Sequence, residues 1–241
     1  MQPMRVPCCT VCGERLFTAA AVSAHAGAAS TAQPTPLCAA CRTEPPAFNR
    51  AVAYGSYDGR LRELIHLYKY RGIRPAANVL GGMLAHALLG LGASFSEVAP
   101  VAVPVPLFSS KLRSRGFNQS EQVARIALKQ FRTASLERLQ LGPNILARVR
   151  NTESQTGLTR AQRRDNVRGA FSVLRPDEVA GRDVLLIDDV LTTGTTAAEC
   201  ARVLRQAGAE RIFVATVARV FAPEPVLMRE PESLQRLAAH A

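Results

Sequence analysis

The sequence predicts an α/β protein in which helices flank a parallel β-sheet and a small four-cysteine module precedes the sheet. Two apolar runs, at residues 98–105 and 184–187, are each followed by a polar loop and a helical pattern, which is typical of the βα units of parallel sheets. Two Cys-x-x-Cys pairs lie near the N-terminus. The 241 residues suffice for one α/β domain and a small appendage.

The N-terminal cysteines are spaced like the ligands of a structural metal site. Five of the six cysteines lie before residue 42, and in a cytoplasmic protein such clusters indicate metal ligands more often than disulfides. Two Cys-x-x-Cys pairs can place four thiolates around a tetrahedral zinc ion with no open coordination position. The alternative is a set of reduced cysteines in an unstructured segment. The predicted ligands are Cys9, Cys12, Cys38 and Cys41.

Other residues leave the first pair and the extent of this module open. Cys8 could replace Cys9 after a shift of one residue, and His25 could contribute a ligand. Residues 18–36, rich in Ala, Ser, Thr and Pro, are expected to form a mobile loop. The remaining cysteine, Cys200, lies on an apolar helical stripe and is expected in the core. The predicted divisions are a zinc module at 1–46, a core domain at 47–220 and a loosely attached tail at 221–241.

The core domain is predicted to begin with a strand and two helices. Apolar and polar residues alternate at 50–54, which predicts the strand, and helical periodicity follows at 58–70 and 76–91. Lys69 and Arg71, at the end of the first helix, could approach a phosphate. We nevertheless expect a solvated helix terminus at this point.

A donor-rich loop is predicted after the strand at 98–105. Its three cations can meet a phosphate or pyrophosphate, and Asn118 and Gln119 add neutral donors at the start of a helix at 117–131. A basic surface turn is the alternative. The candidate cations are Lys111, Arg113 and Arg115.

The strongest candidate site follows the strand predicted at 184–187. This run ends at two carboxylates, Asp188 and Asp189, and ligands of open α/β sheets bind beyond the carboxyl ends of strands. The next loop offers hydroxyls, a glycine and N–H groups that enter a helix, so it can cradle a phosphate. The carboxylates can accept hydrogen bonds from a diol. A phosphate site beside a diol site predicts ribose 5-phosphate as the ligand. The alternative is a Thr/Gly turn with solvated acids. The predicted phosphate-binding residues are Thr192, Thr193, Gly194, Thr195 and Thr196.

Charge and composition restrict the class of ligand. Residues 111–175 contain 14 Lys and Arg against 4 Asp and Glu, so most of the net charge of +11 lies in the middle of the chain. This concentration indicates a highly anionic ligand, either a compound with several phosphates or a nucleic acid backbone. Within it, the basic segment 148–167 is either a lid over the ligand or a solvated loop. Aromatic residues are only 5% of the chain, so composition does not predict an extensive base-stacking surface.

The sequence also predicts a cytoplasmic protein. No apolar run approaches the roughly 20 residues of a membrane helix, and the first residues lack the apolar core of a signal peptide. We therefore expect no membrane span.

The order of these features resembles that of the ComF family, described as competence proteins or amidophosphoribosyltransferase-like proteins. The resemblance extends to about residue 218 and includes the four cysteines. Its motifs are Arg-Gly-Phe-Asn-Gln at 115–119, Gln-Thr-Gly-Leu at 155–158, Arg-Arg-Asp-Asn-Val at 163–167, and 184–196. The last is similar to the phosphoribosyl pyrophosphate (PRPP) signature of type I phosphoribosyltransferases. The spacer at 18–36 is longer than in the usual family finger.

The resemblance implies a type I phosphoribosyltransferase fold with an N-terminal zinc finger. Asp188 and Asp189 would hold the ribose hydroxyls and help place magnesium. Residues 192–196 would bind the 5-phosphate, and the cations at 111, 113 and 115 would meet the pyrophosphate. If the protein is an enzyme, it would transfer ribose 5-phosphate from PRPP to an acceptor that the sequence does not identify, with loss of pyrophosphate.

The resemblance further implies a role in handling incoming single-stranded DNA during natural transformation. The implied partners are PRPP, single-stranded DNA, and a DNA-uptake helicase or membrane channel proteins. A metabolic phosphoribosyltransferase with a nucleobase or amine acceptor is the alternative, and a non-catalytic PRPP-binding module is compatible with the same residues.

Overall fold

The computed structural model describes residues 7–17, 35–73, 75–91, 95–96, 98–130, 134–152, 157 and 159–223. Several sequence predictions lie outside these residues. They concern His25, most of the spacer at 18–36, three residues of the run at 155–158, and most of the tail at 221–241.

Five parallel strands form the central sheet. Their order is β1 (Arg50–Ser56), β7 (Arg211–Arg219), β6 (Asp183–Leu191), β2 (Val101–Pro104) and β3 (Gln140–Leu141), and each neighbouring pair is parallel. Residues Val184 to Ile187 of β6 are fully buried, because helices cover both faces of the sheet. The predicted parallel sheet flanked by helices is confirmed.

Different helices pack on the two faces of the sheet. One face contacts α2 (Gly59–Arg71), α3 (Pro75–Leu89) and α5 (Gln119–Gln130), and the other contacts α8 (Thr195–Gln206). A two-stranded antiparallel ribbon of β4 (Leu146–Arg148) and β5 (Phe171–Val173) also packs on the α8 face. The shorter helices are α1 (Ala39–Thr43), α4 (Ser109–Arg115), α6 (Ala134–Glu137) and α7 (Arg160–Val167), and a 3-10 turn spans Pro176–Glu178.

The structure corrects two predicted boundaries near the site. The strand predicted to stop at the acids continues to Leu191, because β7 pairs with it as far as Arg219. The loop predicted at 109–119 instead begins with helix α4, which ends at Gly116 with φ 79°. The three candidate cations therefore project from a short helix and not from a flexible loop.

The N-terminal module packs against the outer edge of the sheet. Ala51 in the edge strand β1 donates its N–H to the carbonyl of Val11 at 2.6 Å, so the module satisfies a backbone group that an edge strand would otherwise expose. Gly13 has φ 74°, and a β-carbon at this position would lie 3.3 Å from the Ala51 oxygen.

The division of the chain at residues 46 and 220 remains a prediction.

None of the described helices has both the length and the apolar character that crossing a membrane requires.

Candidate functional site

Asp188 and Asp189 each have a different partner. The Ser120 hydroxyl donates to Asp188 Oδ1 at 2.9 Å, and the Asp189 N–H donates to the same oxygen at 2.9 Å. On Asp189, Oδ2 lies 2.5 Å from Nζ of Lys69. The two partners belong to different helices, since Lys69 lies near the end of α2 and Ser120 near the start of α5. The acids are therefore held by two helices that pack on the same face of the sheet.

Lys69 is a site residue that the sequence analysis did not select. The prediction of a solvated helix terminus is wrong at this position, because only 17% of the side chain is exposed and its ammonium group pairs with Asp189. A sequence signal was available: Lys69 lies four residues after the fully buried Ile65, so it belongs to the inward-facing stripe of α2. Arg71, two residues later, is exposed as predicted.

The ion pair keeps Lys69 charged. Burial would lower the pKa of Lys69, but the charge of Asp189, its hydrogen bond and the charge of Asp188 raise that pKa above its ordinary value. The positive charge of Lys69 therefore offsets part of the negative charge of the two acids.

The environment of Asp188 opposes its ionisation. Burial, and then the charge of Asp189, raise the pKa of Asp188 to about 7, although Lys69, the Asp189 N–H and Ser120 act in the opposite direction. The ordinary pKa of an aspartate is about 3.9. In the protein without ligand, Asp188 is therefore destabilising once it is ionised.

We expect Asp188→Asn to stabilise the ligand-free protein more at about pH 8 than at about pH 5. Folding raises the pKa of Asp188, so the native protein has its full stability below the pKa of the unfolded chain. It loses part of that stability as the pH rises through about 7. Asparagine cannot ionise but can accept the Ser120 hydrogen bond. The gain should be roughly 1 to 3 kcal/mol in the free energy of unfolding, since the carboxyl is partly exposed.

Urea unfolding without divalent cations measures this difference at both pH values. Asp177→Asn replaces an exposed carboxylate and should give no comparable change. An equal effect of Asp188→Asn at both pH values would contradict the expectation.

The motif at 115–119 joins β2 to α5 and to the acid pair. The Asn118 side chain donates to the Val105 carbonyl at 3.1 Å and accepts the Ser120 N–H at 3.1 Å. The Gln119 Oε1 atom accepts from Arg115 at 2.6 Å, and Gln119 is buried. Asn118 therefore caps α5 and positions Ser120 beside Asp188. One N–H of the Asn118 amide is thus used within the protein, and donation to a phosphate by this side chain stays a prediction.

The predicted cations lie near a fourth cation, Arg148. Burial, and then the charges of Arg148 and Arg115, lower the pKa of Lys111, so α4 and β4 bring three cations close together. Arg148 is half-buried; burial lowers its pKa, and the charge of Asp188 acts in the opposite direction. Arg113 is exposed on α4. In the sequence, Arg148 is distinguished only as the first residue of the basic segment 148–167.

The threonine loop forms the N-terminus of α8. Gly194 has φ 78° and is the N-cap residue, and helix α8 begins at Thr195. The hydroxyls of Thr193 and Thr195 lie 2.9 Å apart. The loop therefore presents hydroxyls together with the N–H groups of a helix N-terminus, which is the arrangement that binds phosphate.

We expect Gly194→Ala to lower the free energy of unfolding by about 1 to 2 kcal/mol, because a β-carbon is strained at positive φ. Crowding contributes little, since the nearest atom to that carbon would lie 3.9 Å away. Gly82→Ala is the matched control, because Gly82 lies inside α3 with ordinary φ and alanine favours helices. Denaturant unfolding should show opposite signs for the two variants, and equal signs would contradict the strain argument.

A cleft of about 1420 Å³ opens beside the threonine loop. Helix α7 and the cysteine module form its other walls. Helix α7 begins with a capping box between Thr159 and Gln162, and Arg164 forms an ion pair with Glu44 of the module. The described part of the basic segment is thus an anchored wall and not a free loop. The residues that line the cleft include Arg163, Arg164, Arg168 and Thr192 to Thr195.

Four cysteines form a group that could hold a metal ion. Their sulfur atoms all lie within 4.8 Å of one another, and Cys38 accepts the Cys41 N–H at the start of α1. Cys8 lies outside this group, so the geometry favours Cys9 over the one-residue shift. Hydrogen bonds from Cys12 and Cys41 lower the pKa of Cys9. The group consists of Cys9, Cys12, Cys38 and Cys41.

The metal-ligand group is connected to the central sheet. Arg219, at the end of β7, donates to the Cys12 sulfur at 3.7 Å and to Glu14 at 3.0 Å. Cys200 is fully buried in the core beneath α8, as predicted.

The parallel sheet, the acid pair and the helix-capping threonine loop define a protein of the phosphoribosyltransferase class. Residues 93–228 match the phosphoribosyl transferase domain family, and the chain belongs to this family. The chain is 32% identical to Competence protein F of Haemophilus influenzae over 76% of this chain and 78% of the relative. It is also 30% identical to DNA utilization protein YhgH of Escherichia coli (strain K12), over 86% of this chain and 87% of the relative. These relatives confirm the ComF resemblance.

Among solved structures, the fold aligns with a hypoxanthine phosphoribosyltransferase from Staphylococcus aureus at a TM-score of 0.37 and 13% identity. The alignment covers 61% of this chain and 75% of that chain.

Proposed function

We propose that this protein binds PRPP with a divalent cation and acts in the handling of single-stranded DNA during natural transformation. The observation that carries the PRPP proposal is the succession of Asp188 and Asp189 on β6 and the threonine loop at the N-terminus of α8. The names of the relatives, Competence protein F and DNA utilization protein YhgH, support the proposed process.

The 5-phosphate would bind the threonine loop. Positive φ at Gly194 turns the backbone into α8, and the helix N-terminus favours an anion through its N–H groups and dipole. The hydroxyls of Thr192, Thr193, Thr195 and Thr196 would complete the phosphate-binding site.

The acid pair would hold the ribose and the metal. Carboxylates accept hydrogen bonds from hydroxyls, and magnesium prefers carboxylates, water and phosphate oxygens. Asp188 and Asp189 would therefore contact the ribose diol and help place magnesium. Lys69 would prevent the two adjacent acids from repelling the anionic ligand, since it already pairs with Asp189.

The pyrophosphate would lie near α4. Lys111, Arg113 and Arg115 would contact it, and the proximity of Arg148 to Lys111 and Asp188 adds another positive charge. Cations that lie close together repel one another. A ligand with several negative charges would offset this repulsion and form charge-assisted hydrogen bonds with them.

The metal of the cysteine group would be zinc with a structural function. Four thiolates suit tetrahedral zinc, and four protein ligands leave no open position for catalysis. Such a site would stabilise the module that covers β1. We place the protein in the cytoplasm, where reduced cysteines, PRPP and incoming DNA would be present together.

Both a binding role and transfer of ribose 5-phosphate would start from PRPP binding. If transfer occurs, the bond between the anomeric carbon and pyrophosphate breaks while the acceptor forms a bond to that carbon. Positioning and charge stabilisation would then be the main contributions of the site. A metabolic phosphoribosyltransferase remains the second candidate because of the domain family.

Isothermal titration calorimetry with PRPP and magnesium tests the central proposal. We expect binding that depends on both components, and no binding at millimolar PRPP would contradict it. Pyrophosphate release on addition of a nucleobase or amine would favour the metabolic function, whereas salt-dependent binding of single-stranded DNA would favour the DNA-handling function. A DNA-uptake helicase or channel protein is the macromolecular partner proposed for the second case.

A further inference from the structure

Tyr70 is an exposed aromatic residue next to the candidate site. Its exposure is 67%, although the preceding residue, Lys69, points inward to Asp189. Every other Phe or Tyr that the structure describes is at least partly buried. Leu67, one turn earlier in α2, and Leu112, in α4, are each just over 40% exposed. The two helices that meet at Tyr70 therefore carry further exposed apolar side chains.

The ring of Tyr70 is supported by two neighbouring side chains. His66, one turn earlier in α2, has its ring centroid 4.9 Å away at an interplanar angle of 43°. The Arg115 guanidinium lies 5.5 Å from the Tyr70 centroid and is itself fixed by the 2.6 Å hydrogen bond to Gln119. These contacts restrict the ring, so a further planar group could stack on it at a low entropic cost.

The two helices that meet at this ring, α2 and α4, carry further cations. Among the described residues, Arg71, Lys111 and Arg113 form no ion pair, whereas Arg125 and Arg202 do. Arg71 follows Tyr70 directly, and Arg113 is on the same short helix as Arg115. An exposed ring among unpaired cations is the combination that binds single-stranded nucleic acid, since the ring stacks on a base and the cations contact phosphates.

We propose that Tyr70 is a base-stacking site for single-stranded nucleic acid, with Arg115 supporting its ring and Arg71 among the cations that contact the backbone. We call Tyr70, His66, Arg115 and Arg71 the Tyr70 platform. This inference rests on the proposed function and locates the nucleic acid beside the PRPP site. Nucleic acid is favoured over a protein partner, because an exposed ring on helices with several cations suits bases and phosphates.

Fluorescence anisotropy with a labelled oligothymidine of about 15 nucleotides tests the platform. An abasic strand of the same length keeps the phosphates but lacks bases. We expect the native protein to prefer oligothymidine. Tyr70→Ala should weaken oligothymidine binding about tenfold, with little effect on the abasic strand, and Tyr70→Phe should retain the native preference because its ring still stacks.

The salt dependence of binding tests the charged residues of the platform separately. Arg71→Ala should weaken binding of both strands and lower the slope of log affinity against log salt by about 1. Arg175→Ala, which removes an exposed cation next to the 3-10 turn, should change the affinity and the slope much less. A slope change from Arg175→Ala as large as that from Arg71→Ala would overturn the assignment of the backbone contact.

Calorimetry with PRPP separates this inference from the proposed function. Tyr70→Ala should bind PRPP as the native protein does, because Asp188, Asp189 and the threonine loop are unchanged. The platform is overturned if Tyr70→Ala keeps the preference for oligothymidine, or if it alters only self-association in sedimentation, which would indicate a protein contact. A native protein that binds neither strand would overturn both the platform and the DNA part of the proposed function, while PRPP binding would stand or fall on calorimetry alone.

Discussion

The double variant Asp188→Asn and Asp189→Asn is expected to lose PRPP binding while largely retaining single-stranded DNA binding. Both carboxylates would contact the ribose hydroxyls or magnesium, and hydrogen bonds to charged groups contribute about 1.5 to 3 kcal/mol each. Their removal should therefore weaken PRPP at least about 100-fold. DNA would bind mainly through its phosphates and cations outside the acid pair, so its affinity should change little. Calorimetry and anisotropy on the same preparation measure both affinities.

Loss of folding does not account for this expected result. Asparagine matches aspartate in size and keeps an acceptor for Ser120, and Asp188 ionised in the folded protein is destabilising. This gain offsets part of the cost of leaving Lys69 without the charge of its partner Asp189, and the asparagine oxygen at position 189 can still accept a hydrogen bond from the ammonium group. Circular dichroism on the same preparation checks that the double variant is folded.

Asp177→Asn is the matched control, because it removes one exposed carboxylate from the 3-10 turn. It should bind PRPP and DNA like the native protein. If the double variant binds PRPP normally, the acid pair is not the ribose site. If PRPP and DNA affinities fall together in a folded protein, one shared site replaces the two separate sites proposed for this chain.

Cys9→Ser is expected to abolish stoichiometric metal binding, whereas Cys8→Ser should retain one metal ion per chain. The sulfur of Cys9 lies within 4.8 Å of the other three ligands, and Cys8 lies outside the group. Binding of structural zinc contributes about 10 to 16 kcal/mol in zinc-finger peptides, so its loss should unfold the module. Native mass spectrometry with and without chelator reports the metal, and elemental analysis identifies it.

The consequence of metal loss should extend to β1 and β7. The module supplies the Val11 carbonyl to Ala51, and Arg219 contacts both Cys12 and Glu14. Chelation should therefore lower the melting temperature of native protein and Cys8→Ser alike, and leave Cys9→Ser unchanged. Equal mass before and after chelation of the native protein would rule out a bound metal. Loss of metal from Cys8→Ser would instead restore the one-residue shift.

Local sequence patterns were sufficient to predict the sheet and the main parts of the site. The run at 184–196 and the two Cys-x-x-Cys pairs carry their information in neighbouring residues, because a strand, a loop and a helix N-terminus are determined by short-range periodicity and by turn chemistry. The order of strands and loops also sufficed for the ComF resemblance. The predicted α/β class and the approach of four cysteines required no knowledge of distant contacts.

Contacts between distant residues decided the details that the sequence patterns missed. Lys69 pairs with Asp189 across 120 positions, and Ser120 binds Asp188 across 68, so these two pairings have no local signature. Strand β6 runs past the acids because β7 pairs with it, and α4 replaces a predicted loop.

The sequence by itself therefore determined the class of fold, the approach of the four cysteines, and the succession of two acids and a threonine loop at the start of a helix. Only the tertiary structure decided that Lys69 pairs with Asp189, that Cys9 and not Cys8 belongs to the cysteine group, and that Tyr70 remains exposed beside Arg115. The physical reason is that local patterns specify which side chains share a helix face or a loop. Burial and charge pairing depend on which elements the fold brings together.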